Sequence, residues 1–258
     1  MRYGSIPAGG LGTRLQPIGF SKELVPIRRR AVIEYLLDRM ILAGIDKIFI
    51  NTAEDKTDLI RYLATKSPYR HNCVFLVRER KGLLDAIVQP AQFMREDDEL
   101  YFGLPDTIWF PTNGFSRLVE HPGALVAGLF ESGAPHKFDA VVTDTNDRIL
   151  EVQVKVAKPK SPWTWGIGKV RVGEVVRLLA CSQRQKGPRL PLFGVAVHDY
   201  AQAHSAYGVR LENSSYVDIG CVEDYESAEA FLGKHDGSAS IVPVSSDYER
   251  TGRAIAGI

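Results

Sequence analysis

A glycine-rich segment with nearby basic residues lies close to the start of the chain and could bind a polyphosphate. Residues 5–26 read SIPAGGLGTRLQPIGFSKELVP. Glycines permit close backbone approach and positive φ angles, so successive N–H groups can point at one anion. The candidate residues of this loop are Gly9, Gly10, Gly12, Thr13, Arg14 and Lys22. Because a guanidinium and an ammonium suit the charge of a triphosphate, we predict a triphosphate-binding loop.

Two other kinds of glycine loop fit this segment less well. A Walker A loop requires GxxxxGK[ST], whereas Gly9 is followed at once by Gly10 and no lysine stands at the required place. A dinucleotide-binding motif requires a third small residue where Leu15 stands. On the loop alone, a tight strand-to-helix turn with incidental charges remains an alternative.

The segment resembles a known enzyme family. GGLGTRLQP followed by SKELVP is similar to the signature of the sugar-1-phosphate nucleotidylyltransferases, GGxGTRLxP followed by PKxLxP. Ser21 replaces the proline before Lys22, and the spacer between the two halves is two residues shorter than usual. The resemblance implies catalytic roles at the triphosphate for Arg14 and Lys22. It also implies that the backbone of Thr13 and of the three glycines cradles the nucleotide.

A second glycine follows an apolar stretch and precedes a predicted helix. Gly82 again allows close ligand approach, and GLLDA at residues 82–86 resembles the family's second nucleotide motif, GLxxA. The resemblance implies that Gly82 lies against the base. Residues 78–81, RERK, stand where the family often has a glutamine. An arginine there could pair with guanine O6 and N7, hold a phosphate or face solvent, so the base stays open.

Two aspartates are candidate metal ligands. Asp106 ends the apolar stretch ELYFGLPD, and Mg²⁺ takes one or two carboxylates together with phosphate oxygens. From the residues alone, an aspartate that starts a turn before Pro111 is an equal alternative. LPD is similar to the family's metal-binding strand end, and DIGCVED at residues 218–224 to its DxGTxxD motif. The resemblance implies that Asp106 and Asp218 bind Mg²⁺, whereas Asp224 suits a helix N-terminus.

The family motifs that contact the acceptor are only partly present in this sequence. Lys158 and Pro159 match the family's EKP element, whose glutamate binds sugar hydroxyls and whose lysine binds the sugar phosphate. Ala157 stands in place of the glutamate, and Asp139-Ala140 replaces a Tyr-Gly pair commonly near the sugar. The resemblance thus implies that Lys158 binds the acceptor phosphate, with altered contacts to the rest of the acceptor.

Alternating strands and helices must position these residues. Apolar patterns predict strands over 3–7, 46–52, 74–77, 99–106, 138–143, 149–156 and 192–197, and helices over 31–43, 56–63, 123–130 and 174–180. Such alternation predicts a largely parallel sheet with helices on both faces. A strand and then a helix are expected over 215–225. The resemblance implies one three-layer α/β/α Rossmann-like domain over 1–258, with a mixed, mostly parallel central sheet. Residues 1–110 would mainly bind nucleotide and 111–235 the acceptor, with 236–258 as a loosely packed tail.

Composition sets further bounds. The 258 residues are 45% hydrophobic, enough for one large α/β core, and 32 basic residues nearly balance 31 acidic ones. This balance argues against a nucleic-acid or membrane surface. Three cysteines without metal or disulfide spacing, and no segment of transmembrane length, predict a soluble cytoplasmic protein.

We therefore expect a Mg²⁺-dependent nucleotidylyltransferase that transfers NMP from a nucleoside triphosphate to a sugar 1-phosphate and releases pyrophosphate. An enzyme acting on a cyclitol, polyol or phosphonate acceptor is the nearer alternative. A non-catalytic regulator that binds nucleotide sugars is the farther one, disfavoured because a binder need not keep both aspartates. The resemblance favours self-association, and neither base nor acceptor is indicated.

Overall fold

In a computed structural model of the protein, the first strand, β1 (Arg2–Pro7), lies between two parallel neighbours in the main sheet. The structure describes residues 1–12, 19–183, 192–220 and 222–235. The predicted tail at 236–258 lies outside these ranges. Within them, no helix combines the length and the apolar character needed to cross a membrane.

The described strands are β1 (Arg2–Pro7), β2 (Pro26–Ile27), β3 (Arg30–Ala31), β4 (Lys47–Thr52), β5 (Cys73–Val77), β6 (Glu99–Gly103), β7 (Thr107–Phe110), β8 (Leu125–Glu131), β9 (Asp139–Thr143), β10 (Ile149–Val154), β11 (Trp163–Arg171), β12 (Tyr207–Arg210) and β13 (Ser215–Asp218). The described helices are α1 (Val32–Leu42), α2 (Thr57–Thr65), α3 (Leu83–Val88), α4 (Gly114–Glu120), α5 (Val175–Gln183), α6 (Phe193–Ala203) and α7 (Val222–Gly233). Short 3₁₀ helices lie at Lys22–Leu24, Gln89–Phe93, Pro135–Lys137 and Val172–Glu174.

The main sheet has a parallel part and an antiparallel part that meet at β11. Strands β5, β4, β1 and β6 are parallel neighbours in that order. The long strand β11 runs antiparallel to β6 along one edge and to β8 along the other. It also pairs through Thr164 with Ala140 of the β9–β10 hairpin, while β12 joins β8 in parallel. The hairpin is thereby placed beside the ends of the parallel strands.

Helices cover both faces of this sheet, because alternate residues of the inner strands point to opposite sides. On β6, Leu100 and Phe102 pack into a core with α3, α5 and α6, whereas Tyr101 packs into a core with α1, α2 and α4. A strand buried on both faces reads as a continuous apolar run. The three-layer α/β fold with a mixed sheet is confirmed.

The helix predicted over 123–130 is wrong. This segment forms β8, whose apolar side chains reach both cores: Leu125 and Leu129 lie in one, and Val126 and Phe130 in the other. A short apolar run buried on two sides lacks the alternation that identifies a strand in sequence.

The strand predicted over 192–197 is also wrong. These residues begin α6, in which Phe193, Ala196, Val197, Tyr200 and Ala201 lie on one buried face. Their spacing of three and four residues is helical, but it becomes evident only over the full length of the helix.

Candidate active site

An open pocket of about 890 Å³ lies over the carboxyl ends of β1, β4 and β6. Its floor includes Pro7 at the end of β1 and Asn51 and Thr52 at the end of β4. Its far wall comes from β9, β10, β11 and the start of α6. Ligands of open α/β sheets bind beyond the carboxyl ends of strands, so this pocket is the candidate active site.

The glycine loop forms one edge of the pocket. The N–H of Ala8 donates to the carbonyl of Asn51 at 2.8 Å, and Gly9 and Gly10 then line the pocket. Gly12 has a φ of 65°, and a Cβ there would lie 3.3 Å from Lys22 side-chain carbons. Glycine at position 12 therefore permits both the left-handed backbone and the approach of Lys22.

The loop is also contacted by Arg80, which lines the same pocket. The Nε of Arg80 donates to the carbonyl of Gly9 at 2.6 Å, while its Nη2 atom donates to both carboxylate oxygens of Asp55. Arg80 therefore links the glycine loop to Asp55. Thr13 and Arg14, both predicted to contact the nucleotide, lie outside the described residues.

Lys22 and Asp106 form an ion pair inside the pocket. Burial alone would lower the pKa of Lys22, but attraction from Asp106, Glu23 and Asp218 outweighs it and raises that pKa above its usual value. The lysine therefore carries its positive charge at neutral pH, as a phosphate-binding group must.

Asp106 and Asp218 lie at adjacent strand ends although they are far apart in sequence. Strands β7 and β13 pair antiparallel with Asp218 opposite Thr107, and the N–H of Ile219 donates to the carbonyl of Asp106 at 2.8 Å. Both aspartates line the pocket. Burial, with the negative charges of Asp218 and Asp106, raises the pKa of Tyr216 well above its usual value. The phenol thus stays neutral beside the two carboxylates.

These two carboxylates fit the ligand set of Mg²⁺. The ion takes one or two protein carboxylates and completes its octahedron with phosphate oxygens and water. Among the described residues no group of three or more His, Cys, Asp and Glu side chains is placed to hold a metal by itself. A metal site here would therefore need the phosphate oxygens of a bound nucleotide as well.

Gly82 precedes α3 with a φ of 101° and lines the same pocket. Beside it, Arg78 donates from Nη1 to the amide oxygen of Gln89 at 2.6 Å and forms an ion pair with Asp85. Both acceptors belong to the α3 region, so the arginine side chain is held at this end of the pocket. Asp224, predicted at a helix N-terminus, lies in the first turn of α7 and accepts from the N–H of Gly220.

Lys155, rather than Lys158, brings a positive charge to the pocket wall that β9 and β10 form. Lys155 follows the end of β10 with a φ of 48° and lines the pocket beside Asp139. Both lysines are exposed, but Lys158 does not line the pocket. The left-handed turn at Lys155 takes the chain away from the strand direction, and the structure places Lys155 at the pocket where the sequence analysis expected Lys158. A contact between Lys158 and an acceptor phosphate stays a prediction.

Comparison with known proteins decides the family. A family model described as nucleotidyl transferase matches residues 4–235, which include every site residue named above. The chain belongs to the nucleotidyl transferase family. A glucose-1-phosphate thymidylyltransferase of Neisseria meningitidis is 32% identical over 168 residues, 62% of this chain and 58% of that relative. The same enzyme of Mycolicibacterium smegmatis is 32% identical over 61% of this chain and 57% of its own length.

The chain thus spans less than two thirds of the length of these curated relatives. A UDP-glucose pyrophosphorylase from Acinetobacter baumannii has a solved structure that matches with a TM-score of 0.76 at 15% identity, covering 99% of each chain. At that identity the likeness establishes the nucleotidyl transferase fold.

The segment that carries Lys22 in this nucleotidyl transferase is fixed on both sides, by Asp58 of α2 and by Lys56, which directly precedes α2. The N–H and hydroxyl of Ser21 both donate to the carboxylate of Asp58 at 2.6 Å. The Nζ atom of Lys56 donates to Glu23 at 2.7 Å, and both side chains of this pair are buried. Sequence analysis missed these anchors, because Lys56 and Asp58 meet the segment only through the fold.

Replacing Lys56 with methionine should destabilise the protein by roughly 3–5 kcal/mol at pH 7, because Glu23 would be left buried and charged without its partner. Burial already raises the pKa of Glu23 against the opposing pull of Lys56. A carboxyl group with a raised folded-state pKa stabilises the fold below its unfolded pKa, and this stabilisation is lost as pH rises. The deficit, measured by urea unfolding, should therefore shrink as pH is lowered from 7 towards 4.

The control is Lys66→Met, since Lys66 is exposed at the end of the same helix. We expect it to change stability by no more than about 0.5 kcal/mol. A Lys56→Met protein as stable at pH 7 as this control would show that Glu23 does not depend on the ion pair.

Proposed function

We propose that this protein transfers a nucleotidyl group from a nucleoside triphosphate to a sugar 1-phosphate, with Mg²⁺, and releases pyrophosphate. One observation carries the proposal: Lys22, Asp106 and Asp218 lie in a single pocket with the glycine loop, and Lys155 lies across from them. The pocket therefore offers positive charge to two phosphate groups and two carboxylates to a metal ion. The names of the thymidylyltransferase relatives support the same reaction class.

The reaction forms one P–O bond and breaks another. A phosphate oxygen of the acceptor attacks the α-phosphorus of the triphosphate, and the bond from that phosphorus to the oxygen bridging the β-phosphorus breaks. Pyrophosphate leaves with that bonding pair. A phosphate monoester has a second pKa of about 6, so the nucleophile is mostly a dianion at neutral pH. The site accordingly needs no general base, only alignment and charge neutralisation.

The described residues divide this work between them. The Lys22 ammonium, kept charged by its acidic neighbours, neutralises the triphosphate and the departing pyrophosphate. The backbone of Gly9 and Gly10 lets the phosphates approach closely. Lys155 binds the acceptor phosphate and holds its oxygen towards the α-phosphorus. Asp106 and Asp218 would hold Mg²⁺, and the bound cation would neutralise negative charge on the phosphates.

The test is a pyrophosphate-release assay over all common nucleoside triphosphates, combined with sugar 1-phosphates and with polyol, cyclitol and aminoalkyl phosphates. We expect release with one triphosphate and a restricted set of acceptors, a product whose mass is that of the nucleotidylated acceptor, and loss of turnover in EDTA. Lys22→Met should lose this turnover, whereas Lys47→Met, an exposed lysine on β4, should retain it.

Each contrary outcome has a defined meaning. Turnover only with polyol or cyclitol phosphates would replace the sugar in the proposal by a non-sugar acceptor. No turnover with any combination, together with tight binding of a nucleotide sugar, would overturn the enzymatic proposal in favour of a regulatory binder. Turnover that is undiminished by EDTA would show that the proposed reaction does not require Mg²⁺.

A further inference from the structure

The acceptor side of the pocket contains a carboxylate that the proposed reaction does not use. Asp139 begins β9, is half-buried and lines the pocket opposite the glycine loop. Among the described residues its side chain has one hydrogen bond, from the indole Nε1 of Trp165 at 3.4 Å. An ionised carboxylate can accept about four hydrogen bonds, so most of its capacity is available to a ligand.

The surroundings of Asp139 are largely aromatic. Trp165 and Phe193 are buried with their ring centroids 4.5 Å apart, and Phe138 lines the pocket next to Asp139. At Gly194 a Cβ would lie 2.6 Å from the carboxylate Oδ2 atom, so the absence of a side chain there makes room for the carboxylate. The aspartate is thus seated against apolar rings, where a negative charge is poorly solvated.

The polar side chains near Asp139 are better suited to a ligand with one negative and one positive charge than to a ligand with several hydroxyl groups. Lys155 lines the pocket and attracts Asp139, and the exposed Lys137 also lines it. The hydroxyl of Thr164 donates its proton to the Asp139 carbonyl at 3.2 Å, so it can only accept from a ligand. A neutral sugar ring needs several donors and acceptors around its hydroxyls, and the described residues supply few at this wall.

We propose that the acceptor carries a protonated amino group in addition to its phosphate, and that Asp139 is the specificity-determining residue that binds this group. The inference rests on the proposed function, since it concerns the acceptor of that reaction. Carboxylates and aromatic ring faces together attract ammonium groups, and Lys155 would bind the phosphate of the same molecule. Burial raises the pKa of Asp139, and a bound cation would offset the cost of keeping this carboxylate ionised.

Matched acceptor pairs test this inference with the unaltered protein. Glucosamine 1-phosphate is compared with glucose 1-phosphate, and ethanolamine phosphate with ethylene glycol phosphate, each pair differing only in an amino or hydroxyl group. We expect the amino member of at least one pair to have the higher kcat/KM, by roughly 10- to 100-fold, as for a hydrogen bond to a charged group. A preference for the hydroxyl member in both pairs, or equal rates, would overturn the inference while leaving the proposed reaction intact.

The variant Asp139→Asn keeps the shape of the side chain and removes its charge. It should reduce the amino-over-hydroxyl ratio about tenfold or more. The same substitution at Asp147, in the turn between β9 and β10 and outside the pocket lining, should leave the ratio unchanged. A ratio that is the same in Asp139→Asn as in the unaltered protein would assign the selectivity to other residues and refute the role of Asp139.

A binding experiment separates this inference from the proposed function. If no acceptor is turned over, calorimetric titration of both members of each pair into the nucleotide-bound protein still measures the preference. Tighter binding of the amino member would support the inference even though the proposed reaction had failed. Tighter or equal binding of the hydroxyl member would reject it.

Discussion

Asp106→Asn should lower kcat/KM for pyrophosphate release by roughly 10²- to 10³-fold, the range observed when a single electrostatic group is removed from an active site. The substitution is nearly isosteric but removes a negative charge from the pocket. Lys22 would lose its ion-pair partner, and the proposed metal would lose one of its two carboxylates. The measurement is steady-state pyrophosphate release with the best substrate pair, at several concentrations of Mg²⁺.

The metal role and the role in orienting Lys22 can be separated. Mn²⁺ is paramagnetic, and its binding to the nucleotide-loaded protein can be followed directly by electron paramagnetic resonance. If Asp106 is a metal ligand, Asp106→Asn and Asp218→Asn should both weaken Mn²⁺ binding, and the required Mg²⁺ concentration should rise in both. If Mn²⁺ binding were unchanged in Asp106→Asn while kcat fell strongly, the role of Asp106 would be limited to its ion pair with Lys22.

The matched control is Asp46→Asn, because Asp46 is exposed before β4 and lies outside the pocket. It should keep the activity and the metal dependence of the unaltered protein. Full activity in Asp106→Asn would contradict the assignment of this aspartate to the reaction.

The local parts of the fold were predictable from sequence because their signals lie within a few residues. The strand before the glycine loop and the helix over 31–43 are confirmed as β1 and α1. The segment of β8 was predicted as a helix and the start of α6 as a strand. Both segments are buried, and short apolar runs carry little periodicity. The regular alternation on which such predictions depend is weakest in the centre of a sheet that is covered on both faces.

Residues of the candidate site could be predicted to lie together where one sequence motif contains them. They could not be predicted where only the fold brings them together. Lys22 and the glycines are close in sequence, and the structure places them at one pocket edge. Only the resemblance implied that Asp106 and Asp218 act together. In the structure their approach follows from the pairing of β7 with β13, which the sequence analysis did not predict. The anchoring of Glu23 by Lys56 had no sequence signal, because an ion pair between a loop and a helix depends on their packing.

Lys155 lines the pocket, whereas Lys158, which lies in the dipeptide that matches the family pattern, does not. Lys158-Pro159 was chosen because it retains both the lysine and the proline of the EKP element. If that element is instead placed at residues 154–156, VKV, only its lysine is kept, and this lysine lines the pocket. Lys155 is proposed for the acceptor phosphate because it lies directly after β10 and lines the pocket, and the prediction for Lys158 is its competitor.

Lys155→Met should therefore lower kcat/KM for the acceptor by roughly 10²-fold or more, whereas Lys158→Met should stay within about twofold of the unaltered protein. The two substitutions are chemically identical and lie three residues apart, so they differ mainly in whether the removed charge faces the pocket. Binding of the nucleoside triphosphate alone should be nearly unchanged in both variants, because the triphosphate is assigned to Lys22 and the glycine loop. The measurement is pyrophosphate release at saturating triphosphate over a range of acceptor concentrations, with triphosphate binding measured separately by calorimetry.

The result also distinguishes binding of the acceptor from neutralisation of charge in the transition state. If Lys155 only binds the acceptor phosphate, Lys155→Met should raise KM for the acceptor and leave kcat close to its original value. If it also stabilises charge that develops as the phosphate oxygen attacks, kcat should fall as well. The opposite pattern, an inactive Lys158→Met and an active Lys155→Met, would return the acceptor phosphate to Lys158. It would also require the chain after β10 to adopt another path when substrates bind, because Lys158 lies outside the pocket in this structure.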